Sequence, residues 1–157
     1  MSEPRWLDDT EQQAWRALLV LVNRGLPELE RTLKQHDLLG VHYQILVVLS
    51  EAPGRSLRLT ELADAANVSP SRLSHRLHRL VERGDVRIEA VEGDGRGKNA
   101  ILTDDGLERL ELVAPRHVED VRRLLFDHLD DADAACLARA LTKVAVSLCD
   151  HDTFRGP

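Results

Sequence analysis

Between Ala65 and Val81 the chain reads AANVSPSRLSHRLHRLV, with no carboxylate, although its 27 aspartates and glutamates outnumber its 21 lysines and arginines overall. Ser69-Pro70 within this window is a helix start. Serine accepts hydrogen bonds from the exposed amides of a first turn, and proline at the first helical position has no amide to leave unpaired. Asn67 and Val68 make the turn before it, and Gly84 ends the helix. Leu73, Leu77, Leu80 and Val81 fall on one stripe, while Ser71, Arg72, His75, His78 and Arg79 fall largely on the other side. The segment therefore folds as a helix seated on a core by its leucines and presenting cations outward.

Its neighbours fix the setting. VHYQILVVLSEA reads as a compact helix with Tyr43, Leu46, Val47 and Leu49 available for burial, broken by APGR. LRLTELADAANV holds a short extended piece, Leu57 to Leu59, and a helix that Thr60 caps. After Gly84, VRIEAV and AILT read as strands around the glycine-rich turn EGDGRGKN, a hairpin from Val86 to Thr103. Helix, short strand, helix, turn, helix and hairpin in this order make a winged helix-turn-helix. The expected fold class is mainly α with a small β-hairpin wing.

Three helical stretches lie outside that unit. Trp15, Leu18, Leu19, Val22, Leu26, Leu29 and Leu33 repeat at helical spacing from Glu11 to Gln35, with a kink expected at Pro27. Thr103 with Asp104 and Asp105 opens a helix that carries Leu107, Leu110 and Val113 and bends near Ala114-Pro115. DDADAA opens the last, with Leu137, Leu141, Val144, Ala145 and Leu148 on its stripe, before a frayed end, HDTFRGP. A small winged unit cannot cover these faces, and a second copy of the chain can. The expected division is residues 1–40 for dimerisation, 41–103 for the winged unit and 104–157 for further dimerisation helices. A twofold dimer places two equivalent helices about 34 to 36 Å apart, one DNA turn, and so calls for a palindromic site.

Bulk properties narrow the function. A chain of 157 residues with 43% apolar content has material for a buried core. Aromatic residues make up only 3%, too few for platforms that stack single-stranded bases. A net charge of -6 argues against indiscriminate coating of nucleic acid or anionic membranes. The start, MSEPRWLDDTEQQ, is acidic where a secretory signal is basic and then apolar, and runs such as ALLVLV fall far short of the roughly 20 residues of a membrane span. A cytoplasmic protein is expected, with no membrane contact. Cys136 and Cys149 suit a reducing compartment; on one helix they would stand roughly 20 Å apart, beyond disulfide reach, and they read as buried structural thiols.

The acid-free helix has a natural partner in a polyanion. In a winged helix-turn-helix this helix enters the major groove while the hairpin reaches phosphates or the neighbouring minor groove. Arg72 and Arg79 suit guanine edges or phosphates, and Ser71 and His75 donate to either. Arg76 lies nearer the buried stripe and suits a backbone contact or an ion pair. At the hairpin tip Gly95 and Gly97 flank Arg96, Asp94 holds that arginine by a charge-assisted hydrogen bond, and Lys98 adds attraction to phosphate.

These segments resemble the MarR family of transcriptional regulators over nearly the whole chain. The resemblance is carried by LGVHYQILVVLSEAPGRSLRLTELADAANVSPSRLSHRLHRLVERGDV and EGDGRGKNAILTDDG. Most specific is the D-x-R wing followed by L-T-x-x-G, here Asp94, Arg96, Leu102, Thr103 and Gly106. The resemblance implies an obligate homodimer of triangular outline, paired through its terminal helices and bound to palindromic promoter DNA, with repression as the expected direction. It implies DNA contacts from Ser69, Ser71, Arg72, His75, Arg76, His78, Arg79, Arg87, Asp94, Arg96 and Lys98. It further implies that a small molecule, often aromatic or phenolic, relieves binding from a place between the dimer helices and the winged unit. The family often carries an arginine one position after Arg87, where this chain has Ile88, so one phosphate contact is missing. Hydroperoxide-sensing relatives use a cysteine near the N-terminus, and none precedes Cys136 here.

Two other readings compete. A metal-responsive regulator of the same fold would draw on the seven histidines, but they are scattered and form no ligand motif. A winged-helix module for protein assembly would carry neutral or apolar residues on the outward face of the Ser69–Gly84 helix, which is cationic instead. No enzyme motif is present: the sequence has no phosphate-binding glycine loop, nucleophile elbow or paired acid and base. No cofactor is expected.

Overall fold

Asp8 opens the first helix by accepting a 2.8 Å hydrogen bond from the Glu11 amide while the Glu11 carboxylate accepts from the Asp8 amide at 3.0 Å. The two reciprocal bonds satisfy amides that a helix start leaves unpaired. The computed structural model describes residues 3–91 and 97–148. Helix α1 runs over Asp9–Val20, and α2 over Leu26–Gln35. The irregularity expected at Pro27 lies earlier, in a π-helical turn at Leu21–Gly25 where the Leu26 amide donates to the Leu21 carbonyl. Proline has no amide and its ring crowds the carbonyl four residues back; the widened turn ahead of Pro27 accommodates both problems without breaking the rod.

Helix α3, Gly40–Glu51, and α4, Leu59–Ala65, are joined through strand β1, Ser56–Arg58. Leu59 therefore belongs to the helix rather than to the extended piece. Thr60 sits inside the first turn instead of capping it. The cap position is Arg58, whose amide donates to the Glu61 carboxylate at 3.2 Å. Pairing of β1 with the returning strand holds the chain extended as far as Arg58 and fixes this boundary. Helix α5 spans Pro70–Glu82 after its Ser69 cap, and Gly84 leaves it with φ of +77°, a conformation glycine adopts without penalty.

Strands β2, Val86–Ala90, and β3, Lys98–Leu102, form the hairpin, and the sheet order is β1-β3-β2, antiparallel throughout. Ala100 lies opposite both Leu57 and Ile88, so the small residue of the central strand faces the larger ones of its neighbours. Helix α6, Asp104–Leu124, continues through Pro115 as one element, and α7 covers Asp131–Leu148 with the Asp133 amide donating to Asp130 at 2.8 Å. The last seven residues, HDTFRGP, lie outside the described residues.

One buried cluster joins Leu33 and Leu38 to Ile45, Leu46 and Leu49 of α3, the leucines of α5, the inner sheet residues, and Leu110 and Val113 of α6. The winged unit is thereby packed directly on the rods either side of it. By contrast, α1 and α7 bury none of their residues in the single chain. Cys136, expected inside, is exposed on α7, a helix that buries none of its residues among the described residues; Cys149 lies outside the described residues.

Candidate nucleic-acid interface

Local chemistry sets α5 as the sequence predicts. The Ser69 hydroxyl accepts from the Arg72 amide at 3.4 Å and lies 3.3 Å from the Ser71 hydroxyl, with Pro70 in the first turn. Leu73, Leu77 and Leu80 are buried, which locks the rotation of the helix about its axis. Val81, placed on the same stripe by the sequence, is 40% exposed, since it stands one residue past the edge of the contact.

That rotation turns Ser71, Arg72, His75, His78 and Arg79 outward and leaves Arg76 half-buried. Arg72, His75 and Arg76, with Val41 and Val68, line an open pocket of about 460 Å³ at the start of the helix. Arg79 donates to the Asp37 carboxylate at 2.7 Å, and His78 lies 3.3 Å from Glu82. On the wing, Arg87 donates to Glu89 at 2.7 Å, and Lys98 is exposed at the start of β3. The Val91 amide donates to the Gly97 carbonyl at 2.9 Å and closes the hairpin stem. Asp94 and Arg96 lie outside the described residues.

Several participants carry no local signal in the sequence. Asp37, in the loop after α2, also receives the Arg83 guanidinium, both on its carboxylate at 3.3 Å and on its main-chain oxygen. Arg83 in turn lies 3.1 Å from the fully buried Asp85, an ion pair not aligned as a hydrogen bond, and Arg109 of α6 donates to the other Asp85 oxygen at 2.8 Å. Beneath them His42 is buried, and its Nδ1 accepts from the Leu39 amide at 3.4 Å. Burial holds the His42 pKa below its ordinary value, and the charges of Arg76, Arg79 and Arg83 lower it further against the opposing pull of Asp37. A ring kept neutral in this way accepts a hydrogen bond without adding charge.

The outer rods meet the winged unit through a second polar cluster. His117 of α6 stacks at a tilt on Tyr43 of α3, ring centroids 4.3 Å apart. Burial lowers the His117 pKa, against Asp120, and raises that of Tyr43. Among the described residues no three histidine, cysteine, aspartate or glutamate side chains converge as a metal ion would require, and no helix is long and apolar enough to cross a membrane.

Known proteins are similar to this chain in sequence and fold. A family model described as MarR family matches residues 36–97. The transcriptional regulator PecS of Dickeya dadantii is 31% identical over 108 residues, which make up 68% of this chain and 63% of PecS, just under two thirds of that protein. The crystal structure of AbsC, a MarR family transcriptional regulator from Streptomyces coelicolor, is 43% identical, covers 92% of this chain and 98% of its own, and superposes with a TM-score of 0.87. Sco3205, a MarR family transcriptional regulator of the same organism solved in complex with DNA, is 41% identical over 96% of this chain and 94% of its own, with a TM-score of 0.89. With near-complete coverage at this identity, and with the cationic helix and hairpin in place, the chain belongs to the MarR family of transcriptional regulators.

Proposed function

We propose that the chain binds a palindromic operator in double-stranded DNA as a homodimer and represses transcription there. One observation carries the reading: α5 is bolted to the core by Leu73, Leu77 and Leu80 and turns a face of Ser71, Arg72, His75 and Arg79 to solvent without a carboxylate before Glu82. Such a face meets phosphates and the acceptor-rich edge of guanine in the major groove. Arg76 and His78 flank it, and Ser69 supports its first turn. Arg87 and Lys98 extend the contact along the wing, and Asp94 and Arg96 complete the proposed set of DNA-binding residues. Residues 41–103 act as the DNA-binding unit, and residues 1–40 and 104–157 pair two copies. The unburied apolar faces of α1 and α7 support that pairing, because Trp15, Leu18, Leu141 and Val144 are all exposed in the single chain. The protein acts in the cytoplasm by binding rather than by catalysis. A small molecule seated between the paired helices and the winged unit relieves the binding.

The test is a duplex selected from a random pool by the wild-type chain, compared with a scrambled duplex over a range of salt. Preference for the selected duplex with a steep salt dependence is expected, and Arg72→Ala should weaken it by about tenfold or more while relaxing sequence preference. A chain that sediments as a monomer, or binds both duplexes alike, overturns the proposal.

A further inference from the structure

Asp37 stands where an aspartate is doubly unfavourable. It follows the C-terminus of α2 in the left-handed region, with φ of +55°, its amide donating to the Lys34 carbonyl at 3.1 Å and that of Leu38 to Leu33 at 3.0 Å. Glycine or asparagine takes this position more cheaply, and a carboxylate lies at the negative end of the helix dipole. What the side chain gains is two arginines: Arg79 at 2.7 Å and Arg83 at 3.3 Å. Arg83 is itself largely covered and gripped from behind by Asp85, which Arg109 anchors to α6. Charges thus alternate from α6 outward as Arg109, Asp85, Arg83, Asp37 and Arg79, and only the end of this chain lies on the outward face of α5.

We infer that Asp37 is a positioning residue for DNA recognition: its carboxylate aims Arg79 at the duplex and makes binding selective. The inference rests on the reading of α5 as the DNA-binding helix. A free arginine samples many rotamers and satisfies any phosphate; one braced at Nη2 has a fixed direction and loses less freedom when it docks. The same carboxylate, set beside the contact surface, repels phosphates that approach without the matching geometry. Both effects favour the correct sequence over random DNA. Neither is needed to hold the fold, since the pair is exposed on both sides and exposed pairs add little stability.

The experiment compares wild type with Asp37→Asn, which keeps a residue at ease in the left-handed region, and Asp37→Gly, which removes the side chain altogether. Binding to the duplex selected by the wild-type chain and to a scrambled duplex is measured across salt concentrations, with thermal unfolding as the check on folding. The ratio of the two affinities should fall about tenfold, with affinity for scrambled DNA unchanged or higher. Its salt slope should steepen by about one released counterion as Arg79 gains an unshared charge. In an Arg79→Ala background, Asp37→Asn should change the ratio far less, leaving only the repulsion of mismatched phosphates. A ratio unchanged by both Asp37 variants, in a wild type that does discriminate, overturns this inference alone. So does a loss of ratio that persists undiminished without Arg79. A wild type that does not discriminate removes the reading of α5 and this inference with it.

Discussion

Thr32 of α2 donates a 2.6 Å hydrogen bond to the buried Asp120 of α6, joining two helices whose partners are 88 positions apart in the chain. Arg123 donates to the other oxygen at 3.2 Å and Arg116 lies 3.5 Å away. The Thr32 bond is the main reason the Asp120 pKa is held below its ordinary 3.8, and the two arginines add to it against burial. Thr32→Val keeps the shape and removes the donor, so it should destabilise the chain by about 1–3 kcal/mol, with Thr32→Ser milder. Because the folded pKa is depressed, this contribution is fully present above 3.8 and is lost as pH falls through the folded value. Urea unfolding at neutral pH and at about pH 3 should therefore show the wild-type advantage over Thr32→Val shrinking in acid.

His42 and His117 predict a second and milder pH limit. Both are held below 6.5 chiefly by burial, so the unfolded chain binds protons that the folded chain refuses. Stability should be level above 6.5 and decline as pH drops below it, until the folded rings themselves charge. Protonation of His42 also removes the acceptor of the Leu39 amide at the start of α3. His117→Phe, which preserves the stack on Tyr43, should flatten the decline between about pH 6.5 and 5 in chemical unfolding. An equally steep curve in that variant would place the acid sensitivity elsewhere.

Gly106 gives a sharper outcome. A Cβ there would stand 2.1 Å from the Asp85 carbonyl oxygen and 2.8 Å from Leu102, and the first of these is backbone that cannot swing away. Thr103 binds the same corner, accepting from the Gly106 amide at 3.0 Å and donating to the Gly84 carbonyl at 2.6 Å. Gly106→Ala must push the start of α6 off the loop that follows α5. A loss of about 3 kcal/mol or more is expected, visible as a large drop in unfolding midpoint.

Gly106 also shows where the sequence is legible and where it stops. The motif marks the glycine, yet its reason is the approach of a carbonyl from a loop 21 residues away, which no local pattern reveals. Leu73, Leu77 and Leu80 were readable because burial on a helix repeats at a short period, and the same period fixed which arginines face outward. The π-turn ahead of Pro27 was not, since the proline identifies a missing amide but not how the backbone absorbs it. Asp37 was invisible for a stronger reason: its cost is local, whereas the arginines that compensate lie in α5 and the turn after it. Cys136 misled because apolar periodicity on α7 says that a face will be covered, without saying that the same chain does the covering.

The uncovered face of α7 can be tested directly. Leu141 and Val144 are exposed at 47% and 54%, on a helix with no buried residue, so a polar substitution there costs the single chain almost nothing. In a dimer paired through these helices the same substitution buries a charge against apolar side chains. Leu141→Asp should leave the helical circular dichroism of the winged unit intact, shift sedimentation from dimer to monomer, and lower affinity for a two-half-site duplex by about 100-fold through lost bivalency. Binding to a single half-site should be unchanged. Lys143→Ala, two residues along on the opposite side of the helix, should alter neither sedimentation nor binding. A Leu141→Asp chain that remains dimeric would show that α7 is not the pairing surface.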